Sequence, residues 1–176
     1  KVKLEKNYQK NIFTYKKEYY YNHLTEERVD LVVWLNGLPI IVIELKHEDE
    51  GQNVDDAIYD SFLKRDLDNK LYHYPFLYIA SSNVDVKVAT NPSSEDFFRW
   101  FNATLVNKAE TDGEYPVEHL YRYALSKDSI VKYLEYFLVF VPAVEEITED
   151  KKVHTKPSFT IFPRYHQLRV SNKLAN

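Results

Sequence analysis

The hydrophobic residues of the chain are most concentrated in residues 28–46, where apolar positions run almost without interruption. This run contains the pair Asn36-Gly37, a dipeptide that commonly joins two antiparallel strands. A preceding run, residues 11–21, is rich in aromatic and β-branched side chains, which favour strands. Three successive strands joined by short links predict an antiparallel meander.

Downstream of the hairpin, helical and extended patterns alternate. Residues 53–66 set apolar side chains at helical spacing against charged ones and predict an amphipathic helix. Strands are predicted at residues 76–80 and 86–89. They are followed by a helix from Ser93 or Ser94, whose buried side is aromatic (Phe97, Phe98, Trp100, Phe101), and by helices at residues 117–125 and 128–140. This order predicts an α/β fold in which a mixed β-sheet core is flanked by helices.

Composition narrows the functional classes. The chain has 176 residues, enough for one domain with a sizeable core, and 44% of them are hydrophobic. It contains no cysteine, which excludes disulfides, thiolate zinc sites and a cysteine nucleophile and favours a cytoplasmic location. No apolar run is long enough to cross a membrane. A net charge of −4 argues against a generic nucleic-acid binder, although an acidic metal site accounts for part of such a charge.

Three charged residues interrupt the apolar hairpin: Asp30, Glu44 and Lys46. A buried charge costs several kcal/mol unless it is paired or holds a metal. Glu44 and Lys46 are two residues apart on one strand, so their side chains point to the same face. The question is whether Asp30 reaches that face as well.

The register of the hairpin decides this point. With a plain two-residue Asn36-Gly37 turn, Asp30 lies opposite Ile43 and therefore on the other face from Glu44. A three-residue loop with Gly37 left-handed in a bulge shifts the pairing by one residue. The site hypothesis therefore requires a bulge or an odd-length loop near the turn.

Two carboxylates and a lysine on one face suit metal-assisted phosphodiester hydrolysis. Carboxylate and carbonyl oxygens are the ligands that Mg²⁺ prefers, and a nearby lysine can orient or deprotonate the attacking water or stabilise charge on the phosphate. The competing interpretation is a surface ion pair between Glu44 and Lys46 at the end of a strand, worth about 0–1 kcal/mol.

The phrases Arg28-x-Asp30, Asn36-Gly37-Leu38-Pro39 and Ile43-Glu44-Leu45-Lys46 resemble the nuclease domain of type I restriction enzyme R subunits (HsdR-like). That nuclease belongs to the PD-(D/E)xK superfamily, so the resemblance implies a restriction-endonuclease-like fold. It also implies that Asp30 and Glu44 bind Mg²⁺ with help from the Leu45 backbone carbonyl, and that Lys46 is the catalytic lysine.

A second phrase, Phe162-Pro163-Arg164-Tyr165-His166-Gln167, resembles the entry to the ATP-dependent motor that follows this nuclease. The resemblance implies that Gln167, with Arg164 or Tyr165, contacts the adenine of ATP. Residues 145–158 are charged, lack periodicity and contain Pro157, so we interpret them as a linker. We therefore expect an endonuclease domain with a helical C-terminal part over residues 1–144 and the start of the motor over 159–176.

The family implies double-stranded DNA as substrate and the modification and specificity subunits of a restriction-modification complex as partners. In the full-length subunit, ATP would drive DNA translocation. Two departures from the family pattern stand out. Gln52 and Tyr59 are not at the Gln-x-x-x-Tyr spacing of many relatives, and the sequence has no Walker A glycine-rich loop, so this chain alone is not expected to hydrolyse ATP.

Two rival functions remain at this stage. One is a docking module that keeps the nuclease fold with an inert site, and the other is a stand-alone PD-(D/E)xK repair nuclease. Individual residues also keep two interpretations. Glu18 is a further metal ligand or part of a charged strand edge, and His47 contacts the scissile phosphate or lies in a solvated loop. The basic residues of the predicted helix and the segment after it contact phosphates or form a solvated face (Lys64, Arg65, Lys70).

Overall fold

A six-stranded sheet forms the centre of the structure, a computed structural model that describes residues 8–101, 116–147 and 153–174. The strands lie in chain order across the sheet, and only the third and fourth run parallel, so the predicted mixed sheet is confirmed. The strands are β1 (Phe13–Asn22), β2 (Glu27–Leu35), β3 (Leu38–Leu45), β4 (Leu77–Ser81), β5 (Val86–Ala89) and β6 (Arg99–Trp100).

The β2–β3 hairpin closes with a two-residue turn. Asn36 and Gly37 have φ values of 51° and 85°, the left-handed conformation that such a turn requires at both positions. The Asn36 side chain ties this turn to the start of β1, because its Oδ1 accepts a hydrogen bond from the Ile12 backbone N–H at 2.9 Å. The three-residue loop is therefore wrong.

The register shift occurs within β3 instead. Val33 pairs with Ile41 whereas Trp34 pairs with Pro39, so Ile40 is an extra residue without a partner in β2. This β-bulge shifts the pairing beyond it by one residue, as the site hypothesis requires. The bulge prediction is confirmed, at Ile40, three residues past the turn.

The two faces of the sheet carry separate hydrophobic cores, which follow from the alternation of side chains along each strand. In β3, Ile41 and Ile43 belong to the first core, with Ile79 of β4, whereas Val42 belongs to the second, with Tyr78. Complete burial of such side chains stabilises the fold by about 1.5–3 kcal/mol each. Glu44 has the parity of Val42 and therefore lies on the second face.

A helix covers the second face. It begins as α1 (Val54–Asp56), continues through a π-helical stretch (Ala57–Ser61) and ends in a 3₁₀ turn (Phe62–Lys64); we call residues 54–64 the covering helix. Asn53 starts it with a reciprocal capping box, accepting from the Asp55 and Asp56 backbone N–H groups while the Asp56 carboxylate accepts from the Asn53 N–H at 2.7 Å. The predicted amphipathic helix is confirmed.

The segment after β5 departs from the prediction. A helix was expected from Ser93 or Ser94, with four aromatic residues as its buried side (Phe97, Phe98, Trp100, Phe101). The structure has only a 3₁₀ turn (Glu95–Phe97) before β6. Phe98 packs in the second core and Phe101 in the first, which requires an extended chain that presents alternate residues to opposite faces.

The first core is closed by helical segments later in the chain. They comprise a π-helical stretch (Leu120–Ala124), α2 (Lys127–Lys132), a second π-helical stretch (Tyr133–Phe137) and α3 (Tyr165–Leu174). The helix expected over residues 128–140 ends earlier, because β7 (Val139–Val141) follows it. The remaining 3₁₀ turns are Glu48–Glu50 and Lys70–His73.

Residues 145–158, the predicted linker, contain regular structure. β8 (Val144–Ile147) pairs with β9 (Val153–Lys156), and β7 pairs with β10 (Phe159–Ile161); residues 148–152 lie outside the described part of the chain. Leu168 is buried in the first core, so the segment 159–174 packs against the sheet domain. The division into endonuclease domain, linker and motor start stays a prediction. Within the described ranges, no helix is both long and apolar enough to span a membrane.

Candidate active site

The bulge at Ile40 brings two carboxylates to facing positions. Beyond it, Leu31 pairs with Ile43, so the next positions in the same register, Asp30 and Glu44, lie opposite each other on neighbouring strands. The Leu45 backbone N–H donates a hydrogen bond to Asp30 Oδ2 at 2.7 Å, which orients the Asp30 carboxylate at the end of β3. Residues that face each other across antiparallel strands have side chains on the same side of the sheet.

Glu44 is the buried member of the pair, with only 2% of its surface exposed. Its Oε1 lies 3.1 Å from Nη2 of Arg65, and the buried side chain of Ser61 is, like Arg65, among the groups that lower the pKa of this carboxyl. Burial, and to a smaller extent the negative charge of Asp30, raises the pKa of Glu44 to about 7. A cation between the two carboxylates would oppose both causes, since it favours the ionised form.

The competing interpretation, a surface ion pair between Glu44 and Lys46, is wrong. Glu44 is buried, and the ion pair that the structure gives it is with Arg65. The Lys46 backbone N–H continues the parallel ladder by donating to the Ser81 carbonyl at 2.9 Å. Lys46 has the parity of Glu44, so its side chain leaves the backbone towards the same face of the sheet.

A second lysine lies on the same row of the sheet. Glu44 pairs with Ala80 across β3 and β4, and Ala80 pairs with Lys87 across β4 and β5. The Lys87 ammonium lies 2.5 Å from Asp55 Oδ1, at the start of the covering helix, and 4.3 Å from the centre of the Trp100 ring. This pair ties the covering helix to the sheet at the end away from Arg65.

The donor set fits a divalent cation that keeps most of its water. Among the described residues, no group of three or more Asp, Glu and His side chains is placed to hold a metal. Asp30, Glu44 and the Leu45 carbonyl instead offer three oxygens. In an extended strand, the N–H and C=O of one residue point to the same neighbour, so this carbonyl faces the β2 side, where Asp30 accepts the Leu45 N–H. Few protein oxygens and several waters are typical of Mg²⁺ sites.

Comparison with known proteins identifies the family. Residues 3–97 match the family described as the type I restriction enzyme R protein N terminus, and this match covers more than half of the chain. The chain belongs to this family. A protein of Methanocaldococcus jannaschii, whose name describes it as the MjaIXP endonuclease subunit of a type I restriction enzyme, is 36% identical over 84 residues. These residues are 47% of this chain and 8% of that relative. The chain is therefore the N-terminal region of a type I restriction enzyme R subunit.

Two further residues that the sequence offered as site candidates, Glu18 and His47, have other ion-pair partners in this structure. Glu18 lies opposite Asp30 on β1, between the pairs Lys17–Leu31 and Tyr19–Val29, but its carboxylate lies 2.8 Å from Nε of Arg28 and is half exposed. Its φ of 48° is a left-handed conformation that is rare for a residue other than glycine or asparagine. Glu18 therefore belongs to the charged edge of the sheet in this structure, and a role as metal ligand stays a prediction.

His47 lies between the end of β3 and the 3₁₀ turn Glu48–Glu50. Its Nδ1 is 3.5 Å from Asp49 Oδ2, and its side chain is half exposed, as expected for a solvated loop residue. In the acidic 3₁₀ turn that follows (Glu48–Glu50), Glu48 Oε1 accepts a hydrogen bond from the Ser82 hydroxyl at 3.1 Å.

Sequence analysis missed the contacts that Ser61 and Arg65 make with Glu44. Arg65 was grouped with a solvated face, yet its side chain is only 20% exposed. Lys64 and Lys70 are exposed, in agreement with that interpretation. A signal was present, since the buried stripe of the covering helix follows helical spacing and continues to position 65 (Val54, Ala57, Ile58, Ser61, Phe62, Arg65). Two polar residues on an otherwise apolar stripe indicate a polar partner beneath the helix.

The predicted adenine contacts lie at the start of α3. Tyr165 packs edge-on against the His119 ring, with ring centres 4.7 Å apart, and against Phe101. Gln167 is exposed, and its Oε1 accepts a hydrogen bond from the Arg164 backbone N–H at 2.8 Å. Gln167 thus caps α3 in this structure, and its contact with adenine stays a prediction.

Proposed function

We propose that this chain is the endonuclease domain of its R subunit and hydrolyses the phosphodiester bonds of double-stranded DNA with Mg²⁺. The observation that carries the proposal is the register set by Ile40, which puts Asp30 opposite Glu44 at the end of β3, next to Lys46. Family membership supports the same function, because the matching relative is described as an endonuclease subunit.

The residues have distinct roles in this reaction. Asp30 and Glu44 hold Mg²⁺ with the Leu45 carbonyl. When bound, Mg²⁺ acidifies water and neutralises negative charge on the scissile phosphate. Lys46 orients the attacking water and stabilises the negative charge that develops on the phosphate, because it lies two residues after Glu44, directly past the end of β3.

An inert docking module explains the geometry less well. Burying Glu44 beside Asp30 places two like charges together at a free-energy cost, and the ion pair with Arg65 offsets that cost only in part, because the pKa of Glu44 stays raised. A metal site does offset it. Retention of these costly groups at facing positions therefore favours the catalytic function.

In the complete subunit, the nuclease acts as part of a larger machine. We propose that an ATP-dependent motor follows this domain, translocates DNA and binds adenine through Gln167, with Arg164 or Tyr165 beside it. The modification and specificity subunits are the proposed partners, and they supply the recognition of the DNA sequence. Because other subunits recognise the DNA sequence in this assignment, the chain itself need not be basic, which agrees with its net charge of −4.

Metal binding tests the proposal directly. Crystals soaked in Mn²⁺ should show an anomalous peak between Asp30 and Glu44, and Asp30→Asn or Glu44→Gln should remove it. Absence of the peak at saturating Mn²⁺ contradicts the proposal. The isolated chain should not cut DNA at a specific sequence, and site-specific cleavage by the chain alone would instead support a stand-alone nuclease.

A further inference from the structure

The structure holds a partly buried arginine, Arg65, whose only ion pair among the described residues is with the proposed metal ligand. Arg65 follows the covering helix, and its Nη2 lies 3.1 Å from Glu44 Oε1. Its guanidinium lies 5.9 Å from the centre of the Tyr21 ring, so the side chain reaches from β1 to β3. Lys64, its neighbour in the chain, pairs with Asp60 at the surface.

Stability alone gives a poor account of this arginine. A buried ion pair is often no more stabilising than well-packed apolar residues of the same volume, because both charges must leave water. Arg65 adds a second cost, since its Nε is buried without a hydrogen-bond partner in the part of the chain that the structure describes. A residue kept at such a cost points to a function at Glu44.

We propose that Arg65 is a positioning residue that, together with Ser61, holds the Glu44 carboxylate in the orientation needed to bind the catalytic metal ion. This inference rests on the proposed function. The two carboxylates are then oriented by different means: Asp30 by the Leu45 backbone N–H, and Glu44 by side chains of the covering helix and the residue that follows it. Hydrogen-bond partners of metal-binding carboxylates commonly change metal affinity or activity by about 10–100-fold when removed.

The test compares Mn²⁺ affinity of the 176-residue chain with that of four variants, measured by isothermal titration calorimetry. Arg65→Gln removes the charge and the Nη2 contact, whereas Arg65→Lys keeps the charge without the planar fork. Lys70→Gln is the control, because it removes a positive charge from an exposed residue close to Arg65 in the sequence. Glu44→Gln removes the proposed ligand itself.

We expect Arg65→Gln to weaken Mn²⁺ binding by about 10–100-fold, Arg65→Lys to weaken it less, and Lys70→Gln to leave it unchanged. Equal or tighter binding by Arg65→Gln overturns the inference, because Arg65 would then be neutral or compete with the metal. Should Arg65→Gln fail to fold, as its circular dichroism would show, Arg65→Lys decides, and wild-type affinity in that variant overturns the inference.

The outcomes separate this inference from the proposed function. Loss of Mn²⁺ binding in Glu44→Gln but not in the Arg65 variants overturns the role of Arg65 alone. Failure of the wild-type chain to bind Mn²⁺ overturns both. If Arg65→Gln binds Mn²⁺ with unchanged affinity but binds a DNA duplex more weakly in Ca²⁺, then Arg65 contacts DNA. That result also overturns the positioning role.

Discussion

The backbone N–H of Leu45 donates a 2.7 Å hydrogen bond to the carboxylate of Asp30, fifteen residues earlier in the chain. This contact fastens the end of β3 to β2 directly after Glu44, at the point where the two carboxylates face each other. Asp30 is therefore held by the backbone of the strand that carries the rest of the site. A change at either residue should act on the proposed metal site as a whole.

Substitutions at the site should remove nuclease activity without affecting the motor. In the complete restriction enzyme that carries this chain, Asp30→Ala, Glu44→Ala or Lys46→Ala should reduce DNA cleavage by about 10²-fold or more while ATP hydrolysis continues. The reason is that the roles proposed for these residues concern the phosphodiester bond and not the nucleotide. Plasmid cleavage and phosphate release, measured on the same preparations, check this.

The matched control for these substitutions is Glu50→Ala, which removes an exposed carboxylate from the loop after the site. It should leave both activities unchanged. Loss of both activities in the site variants would show that the residues act on folding instead.

The affinity for divalent metal should depend on pH through Glu44. Because burial and the charge of Asp30 raise the pKa of Glu44 to about 7, this carboxyl is protonated in the metal-free chain below that pH. A metal ligand must be ionised, so metal binding has to displace the proton. Affinity for Mn²⁺ should therefore rise by about tenfold per pH unit below pH 7 and level off above it.

Calorimetric titrations of the chain with Mn²⁺ between pH 5.5 and 8.5 measure this profile. In the acidic range, the binding heat should also vary with the ionisation enthalpy of the buffer, since protons are released. A flat profile, or one that falls as pH rises, contradicts the assignment of Glu44 as the titrating ligand.

The glycine of the hairpin turn should affect stability and leave metal binding unchanged. Gly37 has a φ of 85° and open space where a Cβ would lie, so the strain of a left-handed conformation is the main cost of a side chain there. Gly37→Ala should lower the free energy of unfolding by about 1–2 kcal/mol, and Gly37→Asn by less, because asparagine tolerates this conformation. Urea denaturation measures both changes. Reduced Mn²⁺ affinity in folded Gly37→Ala would show that the turn itself sets the register.

Sequence patterns predicted the parts of this fold that depend on residues close together in the sequence. The Asn36-Gly37 turn and the amphipathic stripe of the covering helix both follow from local conformational preference. The need for a register shift was predicted from the parity of Asp30 and Glu44. Its position at Ile40 was not, because all residues of the run Ile40-Ile41-Val42-Ile43 are apolar and β-branched, and none is marked as the extra one.

The remaining errors come from tertiary contacts. The aromatic cluster after Ser94 suggested one buried helical side, but Phe98 and Phe101 fill cores on opposite faces of the sheet. Arg65 looked like a surface residue because its partner, Glu44, is distant in sequence. The roles of Asp30, Glu44 and Lys46 in catalysis stay predictions, which the metal-binding and cleavage experiments above address.

A last prediction concerns Gln167, which has a structural contact and a proposed functional one. Its Oε1 accepts the Arg164 backbone N–H and so caps α3, while the proposed contact with adenine needs the amide nitrogen as a donor as well. Gln167→Glu keeps the acceptor that caps the helix and loses the donor. Gln167→Ala loses both.

In the full-length subunit, both variants should weaken ATP binding by about tenfold or more, because each lacks the hydrogen bonds that discriminate adenine. Only Gln167→Ala should also lower thermal stability, since removal of a helix cap costs about 1 kcal/mol. Fluorescent ATP titrations with GTP as competitor, alongside thermal unfolding, separate the two roles. Normal ATP affinity and unchanged preference over GTP in Gln167→Glu would leave the residue with its capping role alone.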